Sequence, residues 1–153
     1  MPILGKLQEY LDRNSVRYQV LTHSEAYTAQ EIAELQHVPG RQMAKVVMLK
    51  SGDRPFMAVL PAAERISFAR LREVVGEQVA METESEFSAL FPGCETGAEP
   101  PFGNLFGLDV WADASLAKND EIVFNAGTHR QTVRMQYADF ERLVKPRVAA
   151  FAE

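Results

Sequence analysis

Apolar residues recur along this chain in two rhythms, and the switching between them predicts its elements. Leu4, Leu7, Tyr10 and Leu11 stand three and four apart, which places them on one face of a helix over residues 3–14. Residues 18–22 read as a short strand. Thr28-Ala29-Gln30-Glu31 is a capping box: the threonine hydroxyl can accept from the N–H three residues on, and the glutamate can reach back. Ile32, Ala33 and Leu35 then supply the buried face, and Pro39-Gly40 ends that helix. Residues 43–49 form a continuous β-favouring apolar run broken only by Lys45, the pattern of a strand covered on both faces. Residues 55–60 are its expected partner, reached through the turn Ser51-Gly52-Asp53.

Ser67 caps a predicted helix that ends at Gly76, and a strand is expected over residues 78–81. Thr83-Glu84-Ser85-Glu86 is a second capping box, opening a short helix through Leu90. A Gly/Pro-rich loop over residues 91–104 precedes strands over residues 108–112, 121–125 and 131–135. A last helix, residues 137–144, is stopped by Pro146. Helices interleave with strands early and strands dominate later, which predicts a mixed α/β (α+β) fold around one twisted sheet. No repeat or linker interrupts it, so residues 1–153 are read as a single domain.

Composition narrows the function classes. The 153 residues, 46% apolar and 24% charged, suffice to bury roughly 70% of the unfolded surface. No apolar stretch approaches the ~18 residues of a membrane span, and the N-terminus lacks a basic segment followed by an apolar one. A single cysteine, Cys94, excludes an internal disulfide framework. Together these predict a cytoplasmic protein with no membrane partner. The net charge of −5 argues against a broad phosphate-binding face, so no DNA partner is expected and contact with RNA should be confined to one end. Two local basic groups stand out: Arg41, Lys45, Lys50 and Arg54, and His129, Arg130 and Arg134. Phosphate-loop fingerprints, a GxSxG elbow and an HExxH helix are missing, and His23, His37 and His129 lack metal-ligand spacing. Neither a metal nor a cofactor is expected.

Three features bear on chemistry. Lys45 lies within an apolar strand; it is either a snorkelling edge residue or a cation at a pocket floor, where burial lowers its pKa. The loop from Gly93 to Gly103 contains three glycines and the pair Pro100-Pro101, so it is either a plain connection or a stiff loop whose N–H groups form an oxyanion hole. His129, in Asn125-Ala126-Gly127-Thr128-His129, is either an exposed turn residue or a proton-exchanging group at a pocket mouth. Thr28 reads as a cap. Cys94 has no histidine base placed beside it by any motif.

Taken together, Gln42-Met43-Ala44-Lys45-Val46-Val47, Met57-Ala58-Val59-Leu60-Pro61-Ala62, the GxxxP element Gly97-Ala98-Glu99-Pro100-Pro101 and the later Ala126-Gly127-Thr128-His129 resemble the YbaK/prolyl-tRNA-synthetase-associated editing family, over residues 23–148. The resemblance implies a partly open, barrel-like mixed sheet flanked by helices. It also implies hydrolysis, in trans, of the ester joining a wrong amino acid to the tRNA 3′ end, most simply alanine or cysteine on the tRNA for proline. A synthetase pocket rejects smaller or isosteric amino acids poorly, hence the second sieve. By the same likeness Lys45, Gly97 and Ala98 are the catalytic group, Lys45 anchoring a phosphate or organising the site and the other two orienting the carbonyl. Thr28, Pro101, Phe102, Gly127 and His129 contact substrate, and Lys45 faces the Gly97 segment across a cavity. The implied partners are the aminoacylated tRNA 3′ end and an aminoacyl-tRNA synthetase. Glu99 stands where relatives carry a small or apolar residue, so it either points to solvent or marks a different substrate or activity. The competing reading is a non-catalytic module of the same fold that docks on a synthetase or another protein; a third is hydrolysis of a small acyl ester unrelated to tRNA.

Overall fold

The computed structural model describes residues 3–153. In chain order the regular elements are α1 (Gly5–Arg13), β1 (Tyr18–Thr22), α2 (Ala29–Leu35), β2 (Met43–Ser51) and β3 (Arg54–Pro61). They continue with α3 (Phe68–Val75), β4 (Val79–Met81), α4 (Glu84–Phe87), β5 (Asp109–Asp113), β6 (Glu121–Asn125), β7 (Gln131–Gln136), α5 (Tyr137–Val144) and β8 (Arg147–Ala149). The strands form one mixed sheet in the order β1-β7-β6-β2-β3-β5-β8, with β4 also on β2. The predicted mixed α/β architecture is what the chain adopts, and the sheet does not close into a barrel.

The opening lies along one edge of β2. That edge pairs in parallel with β6 at Met43 and Ala44, and antiparallel with β4 at Leu49, Lys50 and Ser51. Among the described residues no strand ladder covers the stretch between. The opposite edge pairs with β3 without interruption, Ala44 facing Pro61 and Ser51 facing Arg54.

Strand alternation divides the apolar residues between two faces. One face holds the main core: Ala44 and Met48 of β2, Met57 and Val59 of β3, and Ile122 and Phe124 of β6 pack with Leu7 and Leu11 of α1 and Phe140 of α5. The other carries two separate, smaller clusters. Ile32 and Ala33 of α2 cover Met43, Ala62 and Val123, whereas Leu71 of α3 and Phe151 cover Leu49, Ala58 and Leu60.

Local signals act as their chemistry requires, with instructive exceptions. The Thr83 capping box is complete, its hydroxyl accepting from the Glu86 N–H and Glu86 accepting from the Thr83 N–H. The Thr28 box is half formed: Thr28 accepts from the Glu31 N–H at 3.1 Å, but the Glu31 carboxylate takes the Thr28 hydroxyl at 2.9 Å instead of reaching back to the backbone. The end of the Gly/Pro-rich loop, expected to be irregular, winds into a 3-10 turn at Gly103–Phe106. Another 3-10 turn, Ala114–Lys118, and β8 after Pro146 lack any periodic signal because each is too short to show one.

One buried acid ties the C-terminal segment down. Asp113, 4% exposed, accepts the N–H groups of Phe151 at 2.8 Å and Ala152 at 2.9 Å, and both the N–H and the hydroxyl of Ser115. Burial pushes its carboxyl up, but these four donors outweigh burial and hold it below the usual carboxylate range. Reciprocal backbone bonds between Arg65 and Glu153 and a 2.7 Å bond from the Ser67 N–H to the Phe151 carbonyl continue the strap. Asp113→Ala should destabilise the protein by about 2–3 kcal/mol, because it leaves buried donors unpaired. In wild type, stability from this depressed pKa is present above the unfolded aspartate's pKa and is lost as pH falls through the folded one. Urea titrations of both proteins across acid pH check this: the gap between them should narrow on acidification.

Candidate active site

Lys45 belongs to the face of β2 that carries the two small clusters, and it sits between them. Its same-face neighbours are Met43, packed under α2, and Val47, packed with the cluster under α3. A lysine there keeps the two covers apart, because a sealed outer layer would strip its ammonium of water. The gap is an open cleft of about 560 Å³ lined by Thr28, Ala29 and Gln30 on one side and Ala62, Ala63, Glu64, Arg65 and Glu153 on the other. The Lys45 Nζ donates to the Ala62 carbonyl at 3.4 Å. Burial pushes its pKa below the ordinary lysine value. Lys45 is thus a cation on the cleft floor, in the stretch of β2 whose one edge no ladder covers among the described residues, and its ammonium makes a long hydrogen bond to a neutral partner.

The Gly/Pro-rich loop is stiff, as its composition predicts, but it is not a wall of this cleft. Gly97 has φ +91°, a conformation that favours glycine, and the chain from Ala98 to Gly103 is buried. Glu99, 6% exposed, faces neither solvent nor the cleft: its two carboxylate oxygens accept the Gly97 N–H at 3.0 and 2.8 Å. The Ala98 N–H donates to the Glu95 carbonyl at 3.0 Å. Both N–H groups expected to orient a substrate carbonyl are therefore engaged within the loop. The turn at Gly127 (φ +103°) is stitched to the same loop: its N–H donates to the Ala98 carbonyl, and its carbonyl accepts the Glu95 N–H.

His129 closes the assembly. It is 6% exposed, its Nε2 donates to the Thr96 carbonyl at 2.9 Å, and its backbone N–H donates to the Glu95 carboxylate at 2.7 Å. Its ring packs against Tyr27 in a tilted contact, with centroids 4.7 Å apart and the planes at 50°. Tyr27 directly precedes Thr28 on the cleft wall, so this contact links the loop to the Lys45 cleft.

The structure therefore brings Lys45 and Thr28 to one cleft, and Gly97, Ala98, Gly127 and His129 to an adjacent loop assembly. Pro101 and Phe102 are buried. The Phe102 ring packs on Phe124, Phe140 and Tyr10, a core position remote from solvent, where a substrate contact was expected. Its truncation would cost about 3–5 kcal/mol. Cys94 is half-buried with its thiol pushed up to about 12 by burial and by the Glu99 charge, which makes it a poor nucleophile. Sequence reasoning missed Tyr27, Glu95 and the anchoring carboxylate of Glu99. A tyrosine before a helix cap reads as a packing residue, and nothing in the spacing tells which N–H a loop carboxylate will take.

Comparison with known proteins fixes the class: residues 23–143 match the profile of the aminoacyl-tRNA editing domain. The chain belongs to this family, and with that to the aminoacyl-tRNA deacylases. Among its relatives is the multifunctional Ser/Thr-tRNA deacylase ProXp-y of Escherichia coli strain K12, 27% identical over 152 residues, spanning 95% of this chain and 90% of that protein. The fold matches that of a candidate trans-editing enzyme for prolyl-tRNA synthetase, with a TM-score of 0.82 at 22% identity over 97% of this chain and 95% of the other. A hypothetical protein of known crystal structure superposes with a TM-score of 0.87 at 18% identity, covering 97% of this chain and 99% of that one.

Burial pushes the Glu99 carboxyl above the usual glutamate range, against the pull of the Gly97 N–H bonds. A raised folded pKa contributes stability at low pH that is lost as pH rises through it. Glu99→Gln keeps an acceptor for Gly97 and removes the buried charge, so it should melt above wild type at pH 7 and lose that advantage near pH 4. Calorimetric melts at the two pH values check the sign.

Proposed function

We propose that the whole chain acts as a single trans-editing domain that hydrolyses the ester between a small misactivated amino acid and the tRNA 3′ end, with Lys45 as the group that makes the cleft catalytic. The observation that carries this reading is the Lys45 ammonium on the floor of an open cleft, partly desolvated and, among the described residues, without a counter-ion in contact. A water attacks the ester carbonyl, a tetrahedral oxyanion forms, and the ribose oxygen leaves with a proton. A cation held in place before the reaction stabilises that developing charge, or the adjacent phosphate, more strongly than water does. Thr28 borders the bound ester. Glu99 must release the Gly97 N–H if that group is to meet the carbonyl, so in this reading Gly97, Ala98, Gly127 and His129 shape the loop beside the cleft, while Pro101 and Phe102 hold it from behind.

The small cleft residues Ala62 and Ala63 suit a short side chain. Alanine or cysteine carried on the tRNA for proline fits that description. Serine and threonine fit it equally, and the ProXp-y relative favours them. A tRNA substrate is in keeping with a cytoplasmic activity, and a synthetase that releases the mischarged product is the natural partner in this reading. A docking module without catalysis has no use for a desolvated lysine in an open cleft.

Lys45→Ala should lower kcat on the preferred mischarged tRNA by about 10²–10³-fold while leaving the thermal melt intact. Because the cation is the active form and its pKa is lowered, wild-type activity should fall as pH rises toward the ordinary lysine range. Assay of alanyl-, cysteinyl-, seryl- and threonyl-tRNA with both proteins reads activity and specificity together. Equal turnover by the two proteins would remove Lys45 from the mechanism, and no turnover of any substrate by wild type would favour the docking module.

A further inference from the structure

Tyr27 is 61% exposed, yet its ring is fixed. The ring packs at a 50° tilt against the His129 imidazole, and the hydroxyl is bound to the Glu25 carboxylate, which also accepts from Arg130 at 3.1 Å. His129 is in turn immobilised by Thr96 and Glu95. Holding an exposed aromatic still costs side-chain entropy, and no cluster of the core gains from it. Tyr27 directly precedes Thr28, which lines the Lys45 cleft.

Resting on the deacylase reading, we propose that Tyr27 is a stacking platform for a nucleobase of the single-stranded RNA end whose ester occupies the cleft. Charge favours a base over a phosphate at this spot. Arg130 is already paired with Glu25, and Glu95 adds a further negative charge beside the ring. Stacking on a π-face tolerates such acidic surroundings, whereas a phosphate does not. The acidic net charge of the chain is compatible with the same arrangement, because a stacked base supplies affinity without a broad basic face.

The test uses uncharged tRNA with 2-aminopurine in its single-stranded 3′ end, so that stacking is read as fluorescence quenching independently of hydrolysis. Wild type should quench the probe, Tyr27→Phe should quench it equally, and Tyr27→Ala should not. In deacylation assays Tyr27→Ala should raise KM roughly 10-fold or more with kcat little changed, the loss expected of one stacked base. Quenching that survives in Tyr27→Ala, or its absence in wild type, overturns the platform. Hydrolysis by wild type with an unaltered KM in Tyr27→Ala also rejects the platform and leaves the deacylase reading standing. Quenching by wild type without hydrolysis of any charged tRNA rejects the deacylase reading alone.

Discussion

A lysine on a strand covered from both sides is the constraint around which the rest is arranged. Full burial of the ammonium would cost several kcal/mol, so the layer over the outer face of β2 cannot be continuous at Lys45. The chain meets this by splitting that layer into the cluster under α2 and the cluster under α3 and Phe151. The cleft is the space left between them. Its far wall is not self-supporting. It depends on the C-terminal strap, and the strap depends on the donors gathered by Asp113.

A second buried charge governs the neighbouring loop. Glu99 occupies the Gly97 N–H with both oxygens, and Glu95 takes the His129 N–H, so two acids shape a segment that composition alone marks only as stiff. Loop and cleft meet where Tyr27 packs on His129, beside the Ala26 N–H bond to the His129 carbonyl and the Arg130–Glu25 ion pair. The elements identified as one site in the sequence are thus two adjacent structures joined at a rim.

What the sequence made legible follows from the length over which each signal is averaged. The apolar run from Met43, its β3 partner and the amphipathic α5 are each seven residues or longer in signal or extent, and they appear where expected. Lys45 was visible as a break in an apolar run, and the same break announces the cleft. The Ala114–Lys118 turn and β8 are too short for a period to emerge. The core position of Phe102 was not legible, because an aromatic after Pro100-Pro101 looks the same in sequence whether it faces a ligand or a core. The partners of Glu99 and Asp113 were not legible for another reason: a carboxylate chooses among nearby N–H groups by three-dimensional geometry, which spacing does not encode.

The two-residue parallel ladder between β2 and β6 has a mechanical corollary. On one side of it lie β1, β7 and β6; on the other, β2, β3, β5 and β8. Among the described residues the register Met43–Val123 and Ala44–Phe124 is the strand ladder between these halves, reinforced by the Val123 N–H on the Gln42 carbonyl, the Asn119 amide on the Arg41 carbonyl and α2 lying across Met43 and Val123. Lys45 is the first residue beyond this narrow weld. The ammonium therefore stands where the backbone joins the two halves most sparsely, and the apolar core shared by Met57 and Val59 with Val133 and Met135 carries the rest of their union.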